Sequence, residues 1–144
     1  MIKPCIIGLG YVGLPILINL SKKYKCIGFD NNSQRINDLS KGIDSFNEFN
    51  KKTLLNKSIK FTNSLKIIKN FNLYIVTVPT PILKNKTPDL KHLKNVCNNL
   101  SKIIKKKDII IFESTVYPGC TEEDCIPVIE RVSGLTFKDD FIDR

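Results

Sequence analysis

Three glycines in the stretch Cys5-Ile6-Ile7-Gly8-Leu9-Gly10-Tyr11-Val12-Gly13 stand at G-x-G-x-x-G spacing. This arrangement lets a main chain receive a pyrophosphate. Gly8 allows a sharp turn, Gly10 lacks the Cβ that would hold phosphates away, and Gly13 lets a following helix pack closely on the strand. Tyr11 and Val12 fall where that helix starts, and the free N–H groups and dipole there favour an anion. These residues are the expected cofactor contacts of the loop. Asp30 lies about 20 positions further on, where a dinucleotide-binding loop is followed by an acid that closes the second strand. Its carboxylate can accept hydrogen bonds from both hydroxyls of an adenosine ribose and repels a 2′-phosphate, which favours NAD over NADP. The alternative for Asp30 is a helix cap or turn residue. Arg35 is close enough to reach the ribose or stack on adenine, or else is a solvated helix-face arginine. Thr80 and Thr115 leave later strands at the end where ligands of open α/β sheets sit. They can bond to cofactor or substrate, or simply serve their turns.

Other chemistries have weaker support. Cys5, Cys26, Cys97, Cys120 and Cys125 are an odd set. The first two fall in expected core strands and Cys97 in a helix, where a free cysteine acts as a small hydrophobe. Cys120 and Cys125 are poorly spaced for zinc in a chain with one histidine, so neither a metal site nor a disulfide framework is expected. The net charge of +9 is almost all lysine, spread along the chain beside Asn and Ile, as a compositional bias would produce. The dense run Lys105-Lys106-Lys107 is expected to complement the carbonyl end of a helix. Few aromatics interleave with the basic positions, as a stacking surface would need, so no nucleic-acid partner is expected. No apolar run reaches the roughly 18 residues of a membrane span, and the N-terminus has no signal-peptide pattern. A cytoplasmic protein without membrane contact is the expectation. At 144 residues the chain fits one domain, since about 70% of the extended surface can be buried at this size.

The elements that must position these groups alternate short apolar runs with helical ones, which argues for βαβ units and a parallel sheet. Strands are expected over Lys3 to Gly8, Lys25 to Phe29, Ile59 to Thr62, Leu73 to Val78 and Asp108 to Glu113. The last should be buried on both faces, because its middle is apolar throughout. The first helix runs from near Val12 to Lys22, with Pro15 in its first turn. A second starts after Asn31-Asn32-Ser33, which offers cap oxygens, and stops at Gly42. Gly42 to Lys57 reads as a polar insertion with a short extra helix, and Ser64 to Lys69 as a brief helical link. Pro79-Thr80-Pro81 takes the chain out of the sheet. Asp89 is the expected N-cap of a helix over Leu90 to Lys105. A further helix from about Thr121 to Val132 is bent by Pro127 and ended by Gly134.

Several of these segments carry a resemblance. Ile7-Gly8-Leu9-Gly10-Tyr11-Val12-Gly13-Leu14-Pro15, Gly28-Phe29-Asp30, and Tyr74-Ile75-Val76-Thr77-Val78-Pro79-Thr80-Pro81-Ile82 with Pro88-Asp89-Leu90 resemble the UDP-glucose/GDP-mannose dehydrogenase family. The run Glu113-Ser114-Thr115-Val116-Tyr117-Pro118-Gly119-Cys120-Thr121-Glu122-Glu123 is similar to the branch that oxidises UDP-N-acetylhexosamines for surface polysaccharides. The resemblance extends from Lys3 to about Phe141. It implies a Rossmann-type, doubly wound α/β fold with a parallel sheet of about five strands, lacking the sixth. It also implies oxidation of a sugar C6 alcohol to a carboxylate with NAD. The glycine loop would hold the pyrophosphate, Asp30 the ribose and Arg35 the side of the adenosine. Thr80 would lie near the cofactor, and Thr115 near the nicotinamide and the hydrolytic water, as an auxiliary catalytic residue.

Family members continue past the segment resembling Phe137 to Phe141 into a glutamate-bearing loop, a long helix and a substrate domain with a cysteine nucleophile. This sequence reaches Ile142-Asp143-Arg144, and Cys120 and Cys125 match non-catalytic positions. Residues 1–144 are therefore expected to be a truncated NAD-binding domain, inactive by itself. A UDP-sugar would bind only with the missing half supplied, by a complementary chain or within a homo-oligomer. The alternative expectation is a stand-alone NAD(H)-binding regulatory module.

Overall fold

Side-chain direction alternates along each short strand, and this decides which core layer every residue enters. The computed structural model describes residues 1–113 and 121–143. In chain order the elements are β1 (Pro4–Ile7), α1 (Gly13–Leu20), β2 (Cys26–Phe29), α2 (Ser33–Ser40), α3 (Lys51–Leu54), β3 (Ile59–Thr62), α4 (Leu65–Ile68) and β4 (Leu73–Val76). Then come α5 (Lys91–Ser101), β5 (Ile109–Phe112), a π-helical turn (Thr121–Cys125), α6 (Ile126–Ser133) and β6 (Ile142–Asp143). The sheet is parallel in the order β3-β2-β1-β4-β5-β6. This is the doubly wound order whose reversal beside β1 opens a ligand crevice at the carboxyl ends of the strands.

Cys5 and Ile7 of β1, Ile27 and Phe29 of β2, and Tyr74 and Val76 of β4 enter one core layer with Leu93, Val96, Cys97 and Leu100 of α5 and Ile126 and Ile129 of α6. Ile6, Cys26, Ile59 and Ile75 enter the other, against Leu14, Leu17 and Ile18 of α1, Leu39 of α2 and Leu54 of α3. Covering both faces explains why the strands read as unbroken apolar runs. Gly28 makes room for α1 on this second face. A Cβ there would come within 2.8–2.9 Å of the Leu17 and Leu9 side chains.

Five of the strands are those expected, and the structure adds a sixth where none was anticipated. Phe141 is buried in the core layer that also holds Ile110, Cys125 and Ile129, and the chain after α6 returns beside β5. The Ile142 amide then donates to the Asp108 carbonyl at 3.3 Å. The resulting β6 covers only the start of β5. Accordingly β5 is half-buried at Ile109, Ile111 and Phe112 and fully buried only at Ile110, not on both faces as its composition suggested.

Three helix expectations also change. α5 ends at Ser101, and its capping position is Leu90, which has no side-chain cap bond. Asp89 Oδ1 instead accepts from the Lys91 amide at 3.0 Å. Pro127 falls in the first turn of α6, where it removes no needed donor. The irregularity lies before it, in the π turn. Lys105 of the lysine run reaches the end of another helix. Lys105 Nζ donates to the carbonyls of Lys69 (2.7 Å) and Phe71 (2.9 Å), just past α4, and to Asp108 Oδ2 (3.2 Å). Burial raises the Asp108 carboxyl, and the bonds from Lys105 offset only part of that rise. Lys106 pairs with Asp140. Among the described residues no helix is long and apolar enough to cross a membrane.

Candidate cofactor site

At the carboxyl ends of β1, β2 and β4 lies a cavity of about 830 Å³, lined by Gly8, Gly10, Tyr11, Val12, Asp30, Arg35, Phe46, Thr77, Thr80 and His92, among others. The loop from β1 to α1 forms its floor. Gly8 sits at φ +95°, a conformation that costs glycine little and other residues much. Its amide donates to the Phe29 carbonyl at 2.9 Å. Thr77, the first residue after β4, reaches its hydroxyl to the Gly8 carbonyl (2.6 Å) and the Ile7 carbonyl (3.0 Å).

The three glycines divide the work. A Cβ on Gly13 would collide with the Gly8 carbonyl and lie 2.5 Å from Thr77 Oγ1. Gly13 is therefore buried under the loop and does not line the cavity; its role is the close packing of α1 on β1. A Cβ on Gly10 would meet nothing within 4 Å. Packing among the described residues gives no reason for glycine there. Helical bonding begins with the Leu14 amide on the Gly10 carbonyl at 3.2 Å, so the amides of Gly10 to Gly13 have no intrahelical partner. Tyr11 and Val12 are exposed at this entrance.

Asp30 is bound to the same loop. Its Oδ2 accepts from the Leu9 amide at 2.9 Å and its Oδ1 from the Asn32 amide at 2.9 Å. Each oxygen has a further acceptor site, and the residue is only half-buried. It is a turn residue that also lines the cavity. The helix cap beside it is Asn32, whose side chain accepts from the Arg35 amide at 3.1 Å.

Arg35 departs most from expectation. It is not a solvated helix-face residue but is 8% exposed. Nε donates to the Leu9 carbonyl at 2.9 Å, and Nη1 to Asp44 Oδ1 at 2.8 Å and Ser45 Oγ at 3.2 Å. Nη2 is buried with no hydrogen-bond partner among the described residues. The guanidinium carbon lies 4.4 Å from the Phe46 ring centroid, and Phe46 stacks on Tyr11 with centroids 4.2 Å apart.

Asp44 organises the segment after α2. Besides Arg35, it accepts from the amides of Phe46 (3.1 Å), Glu48 (3.0 Å) and Phe49 (3.2 Å). Burial pushes its carboxyl up, but these bonds outweigh burial and hold it below the ordinary aspartate value. The polar insertion is thus a folded strap whose one buried acid grips Arg35.

The cavity brings together Gly8, Gly10, Tyr11, Val12, Asp30, Arg35 and Thr80. Thr115 lies outside the described residues. Sequence reasoning missed Thr77, Asp44 and Phe46. Asp44 carries a local signal, since an aspartate followed by a serine marks a turn bonded to its own side chain. Nothing in the spacing pairs it with Arg35. Among the described residues no thiol joins the site. Cys5, Cys26, Cys97 and Cys125 are all buried, and burial pushes Cys26 up to about 11 and Cys5 higher still.

Residues 2–142 match the family model described as the NAD-binding domain of the UDP-glucose/GDP-mannose dehydrogenase family. Over 141 residues the chain is 49% identical to the UDP-N-acetyl-D-glucosamine 6-dehydrogenase of Pseudomonas aeruginosa and 45% identical to that of Salmonella typhi. Each alignment covers 97% of this chain and 33% of the relative. The chain therefore spans about a third of the length of the curated relatives it matches. Among solved structures, a UDP-D-ManNAc dehydrogenase from Pyrococcus horikoshii superposes with a TM-score of 0.90 at 27% identity, covering 99% of this chain and 36% of that one.

Proposed function

This chain belongs to the UDP-glucose/GDP-mannose dehydrogenase family, whose NAD-binding domain it matches, and from that membership we propose a function. The reading is the cofactor domain of an enzyme that oxidises the C6 alcohol of a UDP-N-acetylhexosamine to a uronate for surface polysaccharide synthesis. The observation that carries it is the pairing of an open Gly10 with Asp30 across Leu9. One leaves main-chain space for a pyrophosphate, and the other places a carboxylate beside the loop.

In this reading the amides at the start of α1 hold the pyrophosphate, and Asp30 accepts from the ribose hydroxyls. Thr80 lies along the cofactor, and Thr115 serves the nicotinamide end. When bound, NAD supplies the hydride acceptor. Converting an alcohol to a carboxylate removes two hydrides and consumes one water, so two cofactor molecules must occupy this site in succession. The donors named here must therefore bind without trapping, which suits a half-open cavity edged by exposed Tyr11 and Val12. The nucleophile and its base are assigned to the part of the relatives that this chain does not span, since every described thiol is buried. Catalysis in this reading needs that part together with residues 1–144. The setting is the cytoplasm, where NAD and nucleotide sugars are available.

Isothermal calorimetry of the purified 144-residue chain tests the reading, run beside an NADH-release assay with UDP-N-acetylglucosamine. The expected result is NAD binding without turnover. A cooperatively folded chain that binds no NAD overturns the cofactor assignment, and turnover at an ordinary enzymatic rate overturns the division of labour.

A further inference from the structure

Because the strands are parallel, the residues that lead into them gather along one edge of the sheet, opposite the cofactor cavity. At the leading ends of β1 to β4 lies a second cavity, of about 570 Å³. Lys3, Lys23, Lys25, Lys57 and Lys60 line it together with Tyr24 and Phe71, and none of its lining residues is an acid. The five lysines are exposed, and none forms an ion pair among the described residues. The sequence shows the source of this imbalance. Residues 1–29 carry four lysines and residues 49–88 carry eight, and neither segment contains an aspartate or glutamate. β1 to β4 come from those two segments. Asp108 is linked to this edge through Lys105, which also binds the Phe71 carbonyl, but that acid is 2% exposed and already paired. A compositional bias accounts for many lysines, but not for their gathering around a cavity without acids.

We propose that this cavity is a second anion site, which takes a nucleoside triphosphate at the end of the sheet away from the cofactor. Like charges around one concave surface repel each other and focus a positive potential within it. A ligand with several phosphates relieves that repulsion. Lys23 also complements the carbonyl end of α1. Lys3 and Lys25, however, each precede a strand, and Lys60 lies within β3, so helix ends do not account for the set. The volume falls within the range of about 300–1,000 Å³ usual for small-ligand pockets, which suits one nucleotide better than a polymer strand. Tyr24 and Phe71 are both half-buried and supply aromatic surface on which a base can stack. Lys23 Nζ lies 5.5 Å from the Tyr24 ring centroid, so a cation stands beside that surface.

The inference does not rest on the cofactor reading. Calorimetry on the full chain measures UTP, which carries no adenosine, and inorganic tripolyphosphate. Both are run at about 0.15 M salt, where exposed charges more than about 8 Å apart are largely screened. UTP should bind at least threefold tighter than tripolyphosphate, which has more charge but no base. Lys3→Gln, Lys25→Gln and Lys60→Gln combined should weaken UTP at least tenfold. This variant should melt no lower than wild type, because it removes mutual repulsion. Lys84, Lys86 and Lys102 are exposed and line neither cavity; replacing these three by Gln loses the same charge and should leave UTP within about twofold. Where the first triple variant does not fold, its three single variants are measured, and each should weaken UTP at least twofold. Equal weakening by both triples means diffuse attraction and overturns the proposal. Tripolyphosphate binding as tightly as UTP overturns the base contact. UTP that NAD displaces belongs in the cofactor cavity, which also overturns it. A single-stranded oligonucleotide bound tighter than UTP through the same lysines overturns the choice of a small ligand, and a folded chain that binds no UTP overturns the site altogether.

Discussion

The carboxylate of Asp30 is bonded to the amide of Leu9 at 2.9 Å across 21 positions of sequence. The acid that closes β2 is thereby part of the loop that leaves β1. Replacing it removes a ribose acceptor and loosens the glycine loop at once. Asp30→Ala is expected to weaken NAD by at least tenfold and to cost about 1–3 kcal/mol of stability, because the Leu9 amide loses its partner. Calorimetry and urea unfolding on the same samples measure the two effects. Unchanged affinity would show that the cofactor does not use this acid.

Gly10 and Gly13 should respond oppositely to alanine. At Gly10 the new methyl has open space on the protein side, so Gly10→Ala should melt within about 2 °C of wild type, as expected for a surface change of under 0.5 kcal/mol. Its NAD affinity should nevertheless fall at least tenfold. At Gly13 the methyl meets the Gly8 carbonyl, a main-chain atom that cannot step aside. Gly13→Ala should cost about 3 kcal/mol or more, in the range of severe overpacking. Thermal melts with and without NAD distinguish the pair.

Thr77 fastens the turn from the neighbouring strand. Thr77→Val keeps the shape but deletes the donor to the Gly8 carbonyl. The expected cost is about 1–2 kcal/mol, the value of a hydrogen bond whose partner stays partly buried. NAD affinity should drop with it, because Gly8 sets the path of the phosphate loop. Retained affinity in the destabilised variant would separate the turn from binding.

Asp44 should leave a signature in the pH dependence of stability. Its folded value lies below that of the unfolded chain, where an aspartate titrates near 3.9. The stabilisation is therefore complete above about pH 4–5 and is lost as the pH falls through the lower folded value. Asp108 works in the opposite sense. Its raised carboxyl costs stability at neutral pH, and this cost is relieved in acid. The gap in unfolding free energy between wild type and Asp44→Asn should be about 3 kcal/mol at pH 7, as for a broken buried ion pair, and should narrow toward pH 2.5. Denaturant titrations at both pH values check this. A constant gap would mean that the acid acts by shape and not by charge.

Much of the frame was legible because its signals are local. An unbroken apolar run such as Ile109-Ile110-Ile111 reads as a strand, and Asn31-Asn32-Ser33 reads as the start of a helix, which Asn32 indeed caps. The glycine loop was legible for the same reason, since sharp turning and close approach each exclude a Cβ. The sixth strand was not, because two residues carry no periodicity. It accompanies the burial of Phe141 in the core. The end of α5 was also missed. The apolar spacing continues to Ile103 and Ile104, but Ile103 and Ile104 are bonded to Leu100 through turns after the helix has closed at Ser101.

By itself the sequence determined the parallel α/β order, the phosphate loop and the acid at the end of β2, because strand alternation and turn sterics are decided by neighbours along the chain. Only the tertiary structure decided what Arg35 does. In sequence it is a polar residue on an exposed helix, free to meet a ribose or solvent. In the fold its charge belongs to Asp44, its Nε to Leu9 and its face to Phe46. The strength and direction of an ion pair depend on burial and on where the partner's backbone points, and neither quantity is a property of residue spacing.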